Sequence, residues 1–242
     1  NYFSKTPEGA SQQAVFYARL KYGEITKKLG KDVLKHWKST LKAYEALSDE
    51  EVKNDKFIKR VIEEVKFDLA FNSTRKYFEL DIPGPGPGRS NPKYTMTVLN
   101  KQITKKQESL KELEAQFTDV AKMLSGKYTI SAIVEIAKAY ENYADTIKNA
   151  HVPAFMDEDQ AELYKMQLED QAYPYYEKAT QTYQQALDFA FKYNLYTEAT
   201  AEATRRLGEL KPDEYPELTE ELLKAEFLTS KQETRSYLEN AE

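Results

Sequence analysis

The chain contains no cysteine among its 242 residues. That excludes disulfides, thiolate catalysis and cysteine-based metal sites, and it leaves the compartment open. Glycine and proline are scarce, with 8 and 9 residues, and several of them crowd into one short tract. Most of the sequence is therefore free to be helical. Histidine occurs only at His36 and His151, far apart and with no second ligand one helical turn away. A zinc site would have to recruit scattered carboxylates, so no metal site is expected. No apolar run approaches the length of a membrane span. Asn1-Tyr2-Phe3-Ser4 carries no basic-then-apolar signal pattern, so any membrane association is expected to run through a segment outside this chain.

What is abundant is tyrosine, 18 residues against a single tryptophan. Tyrosine fills the groove between helices while its hydroxyl stays wet, which suits the thin cores of stacked hairpins. Charge is plentiful and uneven. Residues 1–110 hold 21 Lys+Arg and 14 Asp+Glu, whereas residues 111–242 hold 14 and 26, so the halves carry +7 and −12. Helix faces that differ in their solvating residues account for this, and so does a chain that stacks head to tail.

Apolar residues recur at steps of three and four through nearly the whole chain. Residues 11–29 place Ala14, Tyr17, Ala18, Tyr22, Ile25 and Leu29 at helical spacing before Gly30. Val33 to Leu47 repeats the pattern. Ser48 with Glu51 reads as a capping box opening the next helix, and the stripe from Phe57 to Leu69 either runs on to Phe78 or breaks near Asn72-Ser73-Thr74. Further helices are predicted over 96–124, 133–147, 157–192, 196–210 and 214–239. Pro174 is expected to kink or break the third of these near Asp170–Tyr173. Pro83-Gly84-Pro85-Gly86-Pro87-Gly88, followed by Asn91-Pro92, is the clearest loop.

The segment after Ser125-Gly126 carries the strongest signature. Ile133, Ile136-Ala137 and Tyr140 follow the first-helix pattern of a tetratricopeptide repeat, with alanine in the usual glycine position. Tyr140, in the aromatic slot, is expected to be buried between segments 117–124 and 133–147. The fold predicted is all-α, with tetratricopeptide-like helical hairpins stacked as an α-solenoid. It forms one domain over residues 1–242, in which an irregular loop at 82–93 separates an N-terminal part (1–81) from a C-terminal part (94–242).

No motif specifies a reaction. Glu63-Glu64 and Glu220-Glu221 are adjacent, so the members of each pair point apart on a helix. Asp157-Glu158-Asp159 lacks the glycine of a calcium loop and fits a negative first helical turn. Gly126-Lys127 lacks the upstream glycine of a phosphate loop. Lys31, Lys35, Lys38 and Lys42 share a helix face, but the pI near 5.4 and the absence of a reader motif argue against nucleic acid. No catalytic residue and no cofactor are expected. Tyr164, Tyr173, Tyr175, Tyr176 and Tyr183 crowd around Pro174. Within that cluster Tyr173, Tyr175 and Tyr176 are the candidates for binding a protein or peptide partner, with Tyr173, ahead of the proline, the most structural of the three.

The run from Tyr128 to Pro216 resembles the tetratricopeptide-like proteins of the delta-proteobacterial envelope, those found with adventurous gliding motility and in predatory relatives. The resemblance rests on Tyr128-Thr129-Ile130, Ala139 to Ala144, Val152-Pro153, Ala172-Tyr173-Pro174, Asn194-Leu195-Tyr196 and Tyr215-Pro216. Ala199 and its neighbours stand where the family often has tryptophan. The resemblance implies a helical scaffold of the bacterial periplasm or cell envelope, with no catalytic residues, in a motility- or predation-related assembly. The function expected is a non-enzymatic protein–protein interaction scaffold. The alternatives are an enzyme or enzyme subunit whose carboxylates converge only in the fold, and a self-associating structural spacer.

Overall fold

The structure, a computed structural model, describes residues 10–85, 91–124 and 126–216. Among them are eight helices packed as antiparallel neighbours. They are α1 (Gln12–Lys28), α2 (Leu34–Glu45), α3 (Glu50–Lys53), α4 (Lys56–Phe78), α5 (Pro92–Ala121), α6 (Lys127–Lys148), α7 (Glu158–Tyr193) and α8 (Glu198–Leu210).

Local chemistry sets most of the helix ends. Ser11 caps α1 by accepting from the Ala14 amide, and Gly30 takes a left-handed φ of 67° just past its end. Asp157 and Gln160 form a capping box on α7, and Thr197 with Thr200 forms another on α8. Asn194 ends α7 in the left-handed region.

Three expectations need correction, and a fourth lies mostly outside the described residues. The helix after Leu47 is capped by Asp49, whose carboxylate accepts from the Glu51 and Val52 amides, and Ser48 is not the cap. An ionised carboxylate is the better acceptor and also suits the positive helix end. The loop expected over 82–93 is shorter, because α5 begins at Pro92 with Asn91 as its cap. Proline is tolerated there, since a first-turn amide has no helical partner to lose. Segment 86–90 of that loop lies outside the described residues. Pro174 does not break its helix: α7 runs unbroken across 36 residues. Pro174 and Asp170 are both exposed, so water reaches the carbonyl left without its helical donor. Glu214 and Tyr215 lie in a turn, and the rest of the helix expected over 214–239 lies outside the described residues.

Two apolar clusters hold the helices. Phe16 and Leu20 of α1, Trp37 of α2 and Ile58, Val61, Ile62 and Val65 of α4 form the smaller one. The second half of α4, the Ile82 loop and α5 to α8 form the larger. The helix α4 contributes to both. At the centre of the larger cluster, α6 is buried around most of its circumference, with α5 and α7 its most extensive neighbours and α4 and α8 touching it as well. Ala172, Ala179 and Ala186 of α7, each seven residues after the last, are fully buried and let α7 approach α6 closely. Tyr140 is buried as expected, but its ring faces Tyr175 of α7 as well as Glu114 of α5.

Trp37 is completely buried and its indole lies flat on Gly23. A Cβ at Gly23 would fall 1.9 Å from the ring, so only glycine fits. The indole Nε1 donates to Asp68 Oδ2 at 3.0 Å, and Lys27 pairs with the same carboxylate at 2.7 Å. The ring is therefore anchored and cannot slide away. Gly23→Ala should destabilise the fold by about 1–3 kcal/mol, outweighing a helix-propensity gain of about 1 kcal/mol. Urea titration checks this, and a variant as stable as the wild type would remove Trp37 from contact with α1.

Candidate functional site

Four helices touch α6, and they leave two concavities along it. The first lies between α4, α6 and α8 and has a volume of about 450 Å³. Phe71 and Phe78 form its apolar edge, and apart from Thr74 and Asn142 the rest of its lining is charged. Glu141 is buried and accepts from Tyr183 Oη at 3.0 Å and from Arg206 Nε at 3.1 Å. Glu135 pairs with Lys138 at 3.0 Å and Glu202 with Arg205 at 2.9 Å, and Arg205 holds the Glu202 carboxyl below its ordinary range. Asp145 accepts from Tyr176 Oη. Each of these four carboxylates is therefore engaged by a donor from a neighbouring turn or helix.

The second concavity lies between α5 and α7 over the open face of α6, with a volume of about 600 Å³. Ile133, Ile136 and Tyr140 form its floor. Thr118 and Lys122 of α5 line one wall, and Lys178, Gln181 and Gln185 of α7 line the other. Burial, with Glu114 of α5 beside the hydroxyl, raises the pKa of Tyr140. Lys178 Nζ lies 5.5 Å from the Tyr140 ring centroid and 5.1 Å from that of Tyr175, a cation–π placement at the rim. This concavity offers an apolar strip, flanking carboxamides and hydroxyls, and two lysines. Groups of that kind bind a peptide's backbone and side chains without reacting with it.

The three candidate tyrosines do not converge. Tyr173 is 64% exposed and points away from α6. Tyr175 is half-buried and packs against Tyr143 with ring centroids 4.4 Å apart, at the edge of the α5–α7 concavity. Tyr176 is half-buried and bonds Asp145 on the α4–α8 side. Successive helical residues point about 100° apart, so an unbroken helix must scatter them. The ordering expected for Tyr173 is also reversed, because it is the ring with the least packing. Tyr183 is fully buried and Tyr164 half-buried, so neither joins a common groove.

No family model matches this chain, and neither does any curated protein or any solved structure. Among the described residues, no three His, Asp or Glu side chains converge as a metal site. Nor is any helix there long and apolar enough to cross a membrane. His36 Nε2 donates to the Arg19 carbonyl at 2.7 Å, and desolvation lowers its pKa. The His151 amide donates to the Ile82 carbonyl at 3.2 Å. Its ring lies where a Cβ on Gly84 would meet it at 2.6 Å, which pins the start of the Pro/Gly tract.

Sequence reasoning passed over one residue of consequence, Lys106. It is 1% exposed, and its ammonium donates to the Tyr77 carbonyl at 3.0 Å, the Leu80 carbonyl at 2.8 Å and Asn142 Oδ1 at 2.6 Å. It also sits 4.2 Å from the Tyr77 ring centroid. Three hydrogens meet three acceptors, so the amine is an ammonium at neutral pH. The signal was available. Leu99, Ile103, Lys106, Leu110, Leu113, Phe117 and Val120 alternate steps of four and three, which puts a lysine on the inward stripe of α5.

Burial pushes Lys106 down from 10.5 to about 8. Its folded value lies below its unfolded one, so between these values the unfolded chain binds more protons and stability rises with pH. The wild type should gain up to about 2 kcal/mol relative to Lys106→Met between about pH 8 and about pH 9.5. Urea titration of both proteins across that window tests it. Parallel pH profiles would mean that Lys106 titrates as it does in water.

Proposed function

We propose that this chain is a non-enzymatic binding scaffold, built from tetratricopeptide-like hairpins, that holds a peptide segment of another cell-envelope protein in the concavity between α5 and α7. The observation that carries this reading is the lining itself. An apolar floor of Ile133, Ile136 and Tyr140 runs between walls of hydroxyls and carboxamides, with Lys122 and Lys178 at the rim. A bound segment would lay apolar side chains on the isoleucines. Gln181, Gln185 and Thr118 would pair with its backbone groups, as buried polar atoms require. An acidic side chain would meet Lys178, whose charge is already positioned by two tyrosine rings.

The enzyme alternative draws less support. The other concavity gathers Glu135, Glu141, Asp145 and Glu202, but each already accepts from a lysine, an arginine or a tyrosine. A general acid or base needs a carboxyl whose environment is left to its substrate. Placement in the bacterial periplasm or envelope, and a role in motility or predation, rest on the resemblance of residues 128–216 alone.

Selection of a phage-displayed random peptide library on the immobilised chain tests the groove. Enriched peptides should combine apolar residues with at least one acidic residue. Ile133→Glu and Lys178→Glu should each weaken them about tenfold or more, the effect of an interface side chain worth about 1.4 kcal/mol. Both residues lie at the groove surface, so the melting temperature should stay within a few degrees of the wild type. No enrichment, or enriched peptides that bind both variants as tightly as the wild type, would remove the groove from the function.

A further inference from the structure

Two exposed apolar patches lie on helices that belong to different core clusters, and their surroundings carry opposite charge. The first is on α7, where Leu163, Met166 and Tyr173 share one helical face and are 57%, 57% and 64% exposed. Further along the same face α8 covers α7, so that Thr180 and Leu187 are buried. The ion pair between Lys211 and Glu177, at 3.7 Å, marks where that cover ends. The uncovered stretch is acidic: residues 157–177 contain seven Asp+Glu and one basic residue, Lys165. Asp170 lies within the apolar stripe itself.

The second patch is on α1. Ile25 and Leu29 are 56% and 64% exposed, on the face opposite Leu20 and Gly23. Around it, residues 10–47 contain eight Lys+Arg and three Asp+Glu. Among the described residues Lys28, Lys31 and Lys35 make no ion pair, whereas Lys21 and Lys27 do. Lys28 and Lys31 flank Leu29 along the chain, and Lys35, Lys38 and Lys42 continue the basic run along α2.

We infer that a second copy of this chain covers the α7 patch with its α1–α2 face, so that copies associate head to tail. Charge selects this occupant over the chain's own C-terminal segment. Residues 217–242 contain seven Glu and three Lys+Arg, the same sign as the patch they would have to cover. The α1–α2 pair brings the opposite sign and apolar residues together. The two surfaces are different, so the contact is heterologous, and each added copy leaves one free end of each kind. Few apolar side chains take part, so the association is weak, micromolar or weaker, and dependent on salt. Neither patch includes Ile133 or Lys178, so this inference and the peptide groove stand or fall separately.

Sedimentation velocity of the full chain, from about 5 to about 200 µM, tests the inference. The weight-average sedimentation coefficient should rise with concentration at about 50 mM salt, and the association should weaken about tenfold or more at about 500 mM. Met166→Glu with Leu163→Glu blocks one end, and Ile25→Glu with Leu29→Glu blocks the other. Each double variant alone should stay monomeric with an unchanged melting curve. Mixed together, they should form a one-to-one dimer and nothing larger, because each retains the end that the other lacks. A chain that stays monomeric at the highest concentration and lowest salt would overturn the inference. So would double variants that associate as the wild type does, or a mixture that shows no dimer.

Discussion

The constraint on which the rest depends is that α6 is buried nearly all round by helices too few to enclose it. A helix with its side chains is a cylinder about 10–12 Å across, and about six such cylinders close around one of the same width. Among the described residues, α4, α5, α7 and α8 are the helices that pack extensively on α6. Two gaps must remain, and they are the concavity between α5 and α7 and the cleft between α4 and α8. The composition of α6 follows from this. Ala132, Ala137, Ala139 and Ala144 sit where neighbours press closely, and Ile133, Ile136 and Tyr140 face the open gap. Both candidate sites are consequences of how one central helix is packed.

Lys106 ties the two sides of that arrangement together. Its ammonium gathers the carbonyls of Tyr77 and Leu80 at the C-terminal end of α4 and the side chain of Asn142 on α6, while its own backbone belongs to α5. The end of α4 carries partial negative charge, so a cation is favoured there. Burying the charge is costly, and three short hydrogen bonds with a ring face beside it offset that cost. The same carbonyls precede the Ile82 loop, whose Gly84 is held by Gln102 of α5 and packed against His151. The Pro/Gly tract therefore leaves α4 from a fixed point.

Much of the fold was legible because helix ends and helix stripes are local. Ser11, Gly30, Asp157 and Asn194 sit where their conformational preferences predict, and the periodic stripes of α4 and α5 run inward as written. The misreadings share a cause. Pro174, Pro92 and Ser48 were judged by residue type, whereas exposure, position in the first turn and a neighbouring aspartate decided each case. The candidate binding residues are harder to read for a geometric reason. Tyr173, Tyr175 and Tyr176 are close in sequence, and that closeness guarantees divergence once the helix is unbroken. The groove draws instead on α5, α6 and α7, across loops whose lengths no periodicity specifies. Buried lysine was hidden by habit, since an inward charge is read as an interruption of a stripe and not as part of it.

The abundance of tyrosine has a different meaning from the one its composition first suggests. The hydroxyls are not simply left wet at the edge of thin cores. Tyr77 of α4 donates to the Ala139 carbonyl of α6 at 2.6 Å, and Tyr183 of α7 donates to Glu141 of α6 at 3.0 Å. Tyr176 of α7 reaches Asp145 of α6. Each is a strut from one helix to the next, combining ring packing with a hydrogen bond that only one relative placement of the helices can satisfy. Burial raises the pKa of every one of these hydroxyls, so each remains a donor well above neutral pH. Alanine-rich contacts such as Ala172, Ala179 and Ala186 bring helices close but allow them to slide along one another. Tyrosine struts remove that freedom. The peptide groove proposed for this chain would need its walls at fixed spacing. Here Tyr140, part of the floor between the walls, packs its ring against Tyr175 of α7 with Glu114 of α5 beside its hydroxyl, so one side chain of α6 adjoins both walls.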